Sequence, residues 1–411
     1  MGTRHFDTLI VGGGIGGLST ALAMGRAGRS VHLVEQAEKF SEIGAGLQLG
    51  PNATRSMDRL GVWDQVKEIA VRPKACIVRD AVSGERLTAI DFGDSFVARY
   101  GYPYVVAHRH DLLEILVEAC RNTPGVTLEN NRRVAEVSES EDLATVTFDN
   151  GDSYTANVLV GADGIRSRVR QLHDESEPLF TGHVAFRGAM PADEVGLDVD
   201  MDNMILWIGP HMHLIQYPVR HGELFNQVAV FESGWYAEGR EDWGSPEEFA
   251  TVFAPACKAV QESLALMTDH CKWPIFDRDA LASWTTPHTV LLGDSAHAMR
   301  QYLAQGACQA MEDALVLTHA LQSSGNAAVA FEKFESARIA RTTRCQLVAR
   351  PWGDLWHTED PTTLALRNRV FRMRADDEYS EFDWLYEDHV ETECPHAEAQ
   401  VQKFEPKEDA A

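Results

Sequence analysis

The chain has 411 residues, with 37 Lys and Arg against 62 Asp and Glu and a formal net charge of −25. A surface this acidic repels nucleic acid and anionic lipid, so neither is an expected partner. A hydrophobic content of 44% with 24% charged residues, over this length, fits a globular protein with two or three domains' worth of core. The seven cysteines form no C-x-x-C pair, so reduced thiols in a cytoplasmic protein are expected, with no zinc site and no disulfide frame. No run of about 18 unbroken apolar residues predicts a membrane span. The apolar stretch from Thr8 is glycine-rich, follows Asp7 and lacks a convincing small-residue cleavage site, so it is not read as a signal peptide.

In chain order, Asp7 to Val11 reads as a short strand entering "GGGIGG", and "LSTALAMGRAG" as a helix ended by Gly28. "VHLVEQ" is a second strand, so the chain opens on a βαβ unit. Helical patterning returns over Pro51 to Lys67 and in "RHDLLEILVEACRN"; Val71 to Ile90 and "YPYVV" between them read as strands. "VTLENNRRVAEVSES" and "ATVTFDNGDSYTANVLVGADG" read as a β-meander, with Asn150-Gly151 turning a hairpin. "NVLVGADGIRSRVR" repeats the strand–turn–helix plan. From about Glu177 the segments "HVAFRGAM", "MILWIGP", "MHLIQYPV" and "FNQVAVFES" are short, aromatic-rich strands of an antiparallel sheet, followed by a helical pair in "SPEEFATVFAPACKAVQESLALM". After Pro274 come the strand "TVLLGD", a long helix from near Gly306, and mostly helix from Ala327.

The expected fold class is α/β. A Rossmann-like nucleotide-binding domain (1–70, 101–176 and 277–326) carries an inserted antiparallel β-sheet domain (71–100 and 177–276). A helical C-terminal segment (327–390) and a loose tail (391–411) follow.

Gly12-x-Gly14-x-x-Gly17 lies between the first strand and helix. Gly12 permits the tight turn, Gly14 lets a pyrophosphate approach the backbone, and Gly17 lets helix and strand pack closely. The helix start then offers free N–H groups to the phosphates. Glu35 ends the second strand, where a carboxylate grips an unphosphorylated ribose, as in FAD or NAD. Arg109, at the start of a helix, is either a pyrophosphate ligand or a surface residue before an N-capping Asp111. Asp163 and Gly164 end another strand before a helix; an ordinary Asp-Gly turn is the bland alternative.

"VLLGDSAHAM" crowds Asp294, Ser295 and His297 into one turn. A nucleophile elbow needs Gly two residues either side of the serine, and here Gly293 faces His297. Asp294 instead leaves the carboxyl end of a buried strand, where α/β sheets bind ligands and where an Asp can hold a polyol. The helix that starts near Gly306 aims its N-terminal dipole at the same place.

Taken in order, Gly12-x-Gly14-x-x-Gly17 with Glu35, Arg109 before Asp111-Leu112, Gly161-Ala162-Asp163-Gly164 and Gly293-Asp294 resemble the single-component FAD-dependent aromatic hydroxylases of the p-hydroxybenzoate hydroxylase type. The likeness runs from about residue 5 to about 390. "GAGLQLGPNATR", "IGPHMHLIQYP", "NQVAVFES", "RQYLAQGACQAMEDA" and "WGDLWHTED" look most like the 3-hydroxybenzoate 6-hydroxylases. The resemblance implies that Glu35 holds the adenosine ribose, Arg109 the FAD phosphate and ribityl region, and Asp163 the diphosphate and a transient nicotinamide cofactor. It further implies that Asp294 holds the ribityl chain and that Gly306 and Ala307 offer N–H groups to the flavin pyrimidine. His213, Tyr217 and Gln301 would face the substrate. The chain departs from the pattern after His297, where relatives commonly carry proline and this sequence has Ala298, Met299 and Arg300. Arg300 either adds a charge for a carboxylate or points to solvent.

The implied reaction uses FAD, NADH or NADPH and O2, and delivers an electrophilic OH from a flavin C4a-hydroperoxide to a phenolic ring. The expected substrate is a small aromatic like 3-hydroxybenzoate, hydroxylated para to its OH. His213, with an ordinary pKa near ~6.5, would accept the phenol proton, whose own pKa is near ~10. Gln301 would orient the hydroxyl. A larger phenol or hydroxypyridine from natural-product biosynthesis, a flavin reductase or oxidase, and a non-enzymatic FAD carrier are the alternatives, and a homodimer is a possible assembly.

Overall fold

The computed structural model describes residues 3–40, 46–196, 199–267 and 272–390. The tail expected over 391–411 lies outside them. The first sheet holds seven strands. Thr3–Val11 sits at its centre, paired in parallel with Val31–Val34 on one side and Ser153–Gly161 on the other. Val126–Glu129 extends it in parallel beyond Val31–Val34, and Thr289–Leu291 pairs in parallel with Ser153–Gly161. Val126–Glu129 was expected to open a meander; the antiparallel hairpins are confined to Val134–Glu139, Ala144–Phe148 and Ser153–Gly161. The reason is burial: Val31–Val34 is fully buried and needs a partner on its outer edge.

The helix Ile15–Arg26 covers this sheet and packs on a long helix, Gly306–Ser323. A Cβ on Gly17 would stand 2.0 Å from the Gly12 carbonyl oxygen, so the expected close approach is real. Gly12 has φ +109, which the tight turn requires of it. The second strand–turn–helix unit does not form as expected. After Gly161 the chain makes a turn and only a 3-10 segment, Val169–Leu172.

The second sheet also has seven strands, in the order Trp273–Asp277, Leu179–Pro191, Leu224–Glu232, Met212–Val219, Met204–Gly209, Ala75–Asp80, Arg86–Asp91. It is antiparallel except where Met204–Gly209 meets Ala75–Asp80 in parallel. All eight residues of Met212–Val219 are buried, because both faces of the sheet are covered. Alternation sends Trp207, Leu214 and Phe231 under the helices Pro246–Phe253 and Lys258–Leu264. The opposite face turns Leu206, Ile215 and Tyr217 toward the first sheet.

Two further helices follow, Ala327–His357 and Pro361–Met373. The first ends where the sheets meet. Arg367, itself buried, donates to the carbonyls of Leu355 (3.2 Å) and Trp356 (2.9 Å), so the last turn of that helix is firmly held. The basic stretch "LRNRVFRMR" thus turns one of its arginines inward. Among the described residues no helix is long and apolar enough to cross a membrane.

Candidate active site

A cavity of about 1240 Å³ runs between the two sheets. This exceeds the usual volume of a site for one small ligand, roughly 300–1,000 Å³. Of the residues to which the sequence assigns a cofactor or substrate role, all but Gly17 line it: Gly12, Gly14, Glu35, Arg109, Asp163, Gly164, His213, Tyr217, Gly293, Asp294, Gln301, Gly306 and Ala307.

One end fits a dinucleotide. The helix Ile15–Arg26 starts at Gly14 without a side-chain cap, leaving N–H groups free at a positive helix end. Glu35 accepts from the N–H groups of Gly13 (2.7 Å) and Ala37 (2.8 Å). Those contacts fix the carboxylate and leave it a lone pair on each oxygen for ribose hydroxyls. Asp294 is exposed to the cavity, and the Gly306–Ser323 helix also begins there without a side-chain cap. Arg109 lines the cavity; burial lowers its pKa and Asp294 partly restores it. Asp111 does not cap that helix. Its carboxylate takes Arg220 in a bidentate pair (2.8 and 2.6 Å) and ties the helix to the second sheet.

Asp163 differs from its expected role. Its carboxylate accepts from Ser167 Oγ (2.5 Å), Ser295 Oγ (3.2 Å) and the backbone N–H groups of Arg168 (2.7 Å) and Val169 (3.3 Å). It organises the turn through Gly164, and a carboxylate so engaged is a poor partner for a diphosphate. Ser295 also accepts from the Gly164 N–H, which fits its reading as a turn residue.

Behind Asp294 lies a buried charge network that the sequence did not reveal. His297 Nε2 is 2.6 Å from Asp313, which also accepts from the Gly293 N–H (2.9 Å) and Arg338 (2.8 Å). Arg338 and Arg341 both bind Glu312. Burial pushes both carboxyls up, but their cationic partners outweigh it and hold both below the usual range. The segment after His297 runs in an extended path without a proline. Ala298 (φ −49, ψ 132) and Arg300 (φ −63, ψ 147) hold dihedrals that proline favours. Arg300 neither points to solvent nor stands free: Asp277 (3.4 Å) and Asp354 (3.5 Å) flank it.

The other end of the cavity is built by strand register. Leu206, Ile215, Val228 and Arg187 are opposite one another in adjacent strands and form one row. His213 and Tyr217, two residues either side of Ile215, share that face. Burial raises the Tyr217 hydroxyl well above the usual range, with Gln48 and Asn226 beside it. Gln301 Nε2 is buried without a partner. Arg187 Nε is likewise buried and unpartnered, and no carboxylate among the described residues pairs with Arg187. Burial lowers its pKa, and its guanidinium lies 5.7 Å from the Trp273 ring. A lone arginine in the alternating strand "HVAFRGAM" was the signal that sequence reading passed over.

His213 corrects an expectation. Burial pushes its pKa down to about 3, far from the neutral-range base anticipated. Its Nδ1 lies 2.7 Å from Nε2 of His357, the last residue of the Ala327–His357 helix, and its ring packs against Tyr302 and Trp356.

Residues 5–348 match the family model described as "FAD binding domain". The 3-hydroxybenzoate 6-hydroxylase of Klebsiella oxytoca is 38% identical over 92% of this chain and 96% of its own. The 6-hydroxynicotinate 3-monooxygenase of Bordetella bronchiseptica is 34% identical over 86% of this chain and 92% of its own. In fold, Klebsiella pneumoniae HpxO complexed with FAD and uric acid is similar at a TM-score of 0.79, with 24% identity, covering 95% of this chain and 96% of that one. The reductase, oxidase and carrier alternatives give way to these findings: the chain belongs to the FAD-binding-domain family of single-component FAD-dependent aromatic-ring monooxygenases, which use NAD(P)H and O2.

Proposed function

We propose that this enzyme hydroxylates a small phenolic carboxylate of the 3-hydroxybenzoate kind, para to its hydroxyl. The observation that carries the reading is the pairing of Arg187 with His213 and Tyr217 on one sheet face, with the apolar row Leu206, Ile215 and Val228 beside them. A half-buried cation without an anion of its own is costly, and a carboxylate arriving on a ligand offsets that cost. The two named relatives act on rings that carry both a hydroxyl and a carboxylate, and carbons 3 and 6 of a benzene ring stand para to each other.

In this reading Arg187 takes the carboxylate by charge-assisted hydrogen bonds, and His213, Tyr217 and Gln301 meet the ring hydroxyl. Glu35 takes the adenosine ribose, Arg109 and the Gly12-to-Gly17 turn the diphosphate, Asp294 the ribityl chain, and the N–H groups of Gly306 and Ala307 the flavin pyrimidine. Asp163 contributes through the turn it shapes around Gly164, and Gly293 through the turn that presents Asp294. Bound FAD, once reduced by NADH or NADPH, would activate O2 and so provide the electrophilic oxygen. The apolar row with Trp273 and Trp356 keeps water from it.

His213 works as a neutral imidazole. Moving a proton to it from a phenol of pKa near ~10 spans about seven pKa units, roughly 9–10 kcal/mol. An ion pair about 3 Å apart at an effective dielectric near 20 returns only about 5–6 kcal/mol. The residue therefore acts by hydrogen bonding, without becoming an imidazolium.

The test is NADH oxidation by the FAD-loaded enzyme with and without 3-hydroxybenzoate, followed by product identification. Strong stimulation with one dihydroxylated product per NADH supports the reading; stimulation with only H2O2 released removes it. A hydroxypyridine carboxylate is the second reading, favoured by the 6-hydroxynicotinate relative and by the unpartnered Gln301 amide, which can donate to a ring nitrogen or a ring oxygen. The division into FAD-binding, substrate-sheet and C-terminal helical parts is kept in this reading. So is a cytoplasmic setting, which the unpaired cysteines among the described residues suit. So is a homodimer: Leu366, Val370 and Met373 form an exposed apolar stripe, and light scattering of the purified protein checks it.

A further inference from the structure

The contact between His213 and His357 has a property that fixes the direction of a hydrogen bond. His213 lines the cavity and His357 does not; it stands behind His213, with Nε2 2.7 Å from Nδ1 of His213. His357 is held in place from its backbone. Its carbonyl accepts from the His211 N–H (2.9 Å), and Arg367 grips the two carbonyls before it. The Nδ1 of His357 is buried and has no partner.

Only one of the two facing nitrogens carries a proton while both rings are neutral. If His213 donates, His357 must carry its own proton on Nδ1, which buries an N–H with nothing to bond. If His357 donates, its Nδ1 is a bare lone pair. Buried N–H groups without acceptors are the rarer and costlier defect. The charged and titratable groups facing the pair are His183, His211, Arg300 and Tyr302. None is a carboxylate. Glu232 and Glu359 are engaged with His211, and Asp354 with Arg300. Nothing around the pair therefore favours an imidazolium, and burial holds both pKa values down.

We infer that His357 is a positioning residue: it donates to His213 Nδ1, so that neutral His213 presents an Nε2–H to the cavity and holds the ring hydroxyl as its anion. The second half rests on the phenol reading of the site, and the first half does not. The substrate's proton stays in solvent as the anion binds. No proton needs to reside on His213 beyond the one already there.

Histidine tautomers are distinguished by nitrogen NMR of FAD-loaded full-length protein labelled with 15N-histidine, with H213N identifying the His213 signals. The expected result is the Nε2–H pattern for His213 in the wild type. H357Q, whose amide N–H can also donate to Nδ1, keeps it, while H357F yields a mixture. An Nδ1–H pattern in the wild type, or an unchanged pure Nε2–H pattern in H357F, overturns the inference. The wild-type spectrum decides even if H357F does not fold. A second arm titrates the absorbance of bound 3-hydroxybenzoate. Its phenol pKa is expected at least one unit below the free value in wild type and H357Q, and less depressed in H357F; an equal depression in H357F overturns the link to the substrate. If 3-hydroxybenzoate neither binds nor stimulates NADH oxidation, the proposed substrate fails while the tautomer result still decides the inference.

Discussion

His297 and His213 are both almost fully buried, yet one rests on a carboxylate and the other on a second imidazole. Asp313 gives His297 a negative partner, and the same carboxylate takes Arg338 and the Gly293 N–H. That cluster balances charge within itself and fixes the turn that presents Asp294. The surroundings of His213 contain bases and aromatic rings, so the group stays neutral and its use is to orient a ligand. Burial is common to both; the partner decides whether the histidine builds a scaffold or works in a site.

The comparison is broken most severely at Asp313. Asp313→Asn leaves Arg338 and His297 buried against an uncharged amide, and a loss of about 3–5 kcal/mol is expected in denaturant unfolding of the FAD-loaded protein. A loss below about 1 kcal/mol would mean that the cluster is not what holds this region. At the other histidine, H213N should leave unfolding nearly unchanged while slowing turnover about 10²- to 10³-fold, in the range for one lost hydrogen-bond donor to an oxyanion. A comparable loss of unfolding free energy in H213N would put the two histidines in the same role and end the distinction.

Arg187 sharpens the contrast on the ligand side. Replacing Arg187 with Gln should weaken binding of benzoates about 10- to 100-fold, the value of a charged hydrogen bond, and leave the matching benzamides little changed. Flavin absorbance titrations with non-reacting analogues measure both; equal losses for the two ligands would remove the carboxylate role.

Per pH unit, the smallest effect is on acid stability. An unfolded imidazole takes up a proton near pH ~6.5, whereas His213 does so only near about 3. Between those values the unfolded state binds more protons, so stability falls as pH falls, by about 1.4 kcal/mol per pH unit for this one group. Thermal unfolding from pH 7 to 4 should show a shallower slope in H213N than in wild type. The depressed carboxyls Glu312 and Asp313 act lower, their contribution being lost only as pH drops below their ordinary range near ~4.

What the sequence determined by itself is what a few adjacent residues can specify. The Gly12-to-Gly17 turn, Glu35 at the end of the next strand and Gly293-Asp294 at the end of another are local geometries, and each lines or shapes the cavity as read. The strands of the second sheet were legible as short aromatic-rich segments between turns. The tertiary structure alone decided which residues became partners. His213 meets His357 across 144 positions of sequence, and Arg187 joins the site because strand register puts it on the same face as Ile215 and Val228. The Asp163 carboxylate, expected at a diphosphate, was drawn into its own turn by four donors that only the fold assembles. The physical reason is common to these cases. A turn or a helix start is fixed by its own dihedrals and neighbouring hydrogen bonds, whereas the charge and tautomer of a buried group depend on whatever distant chain is packed against it.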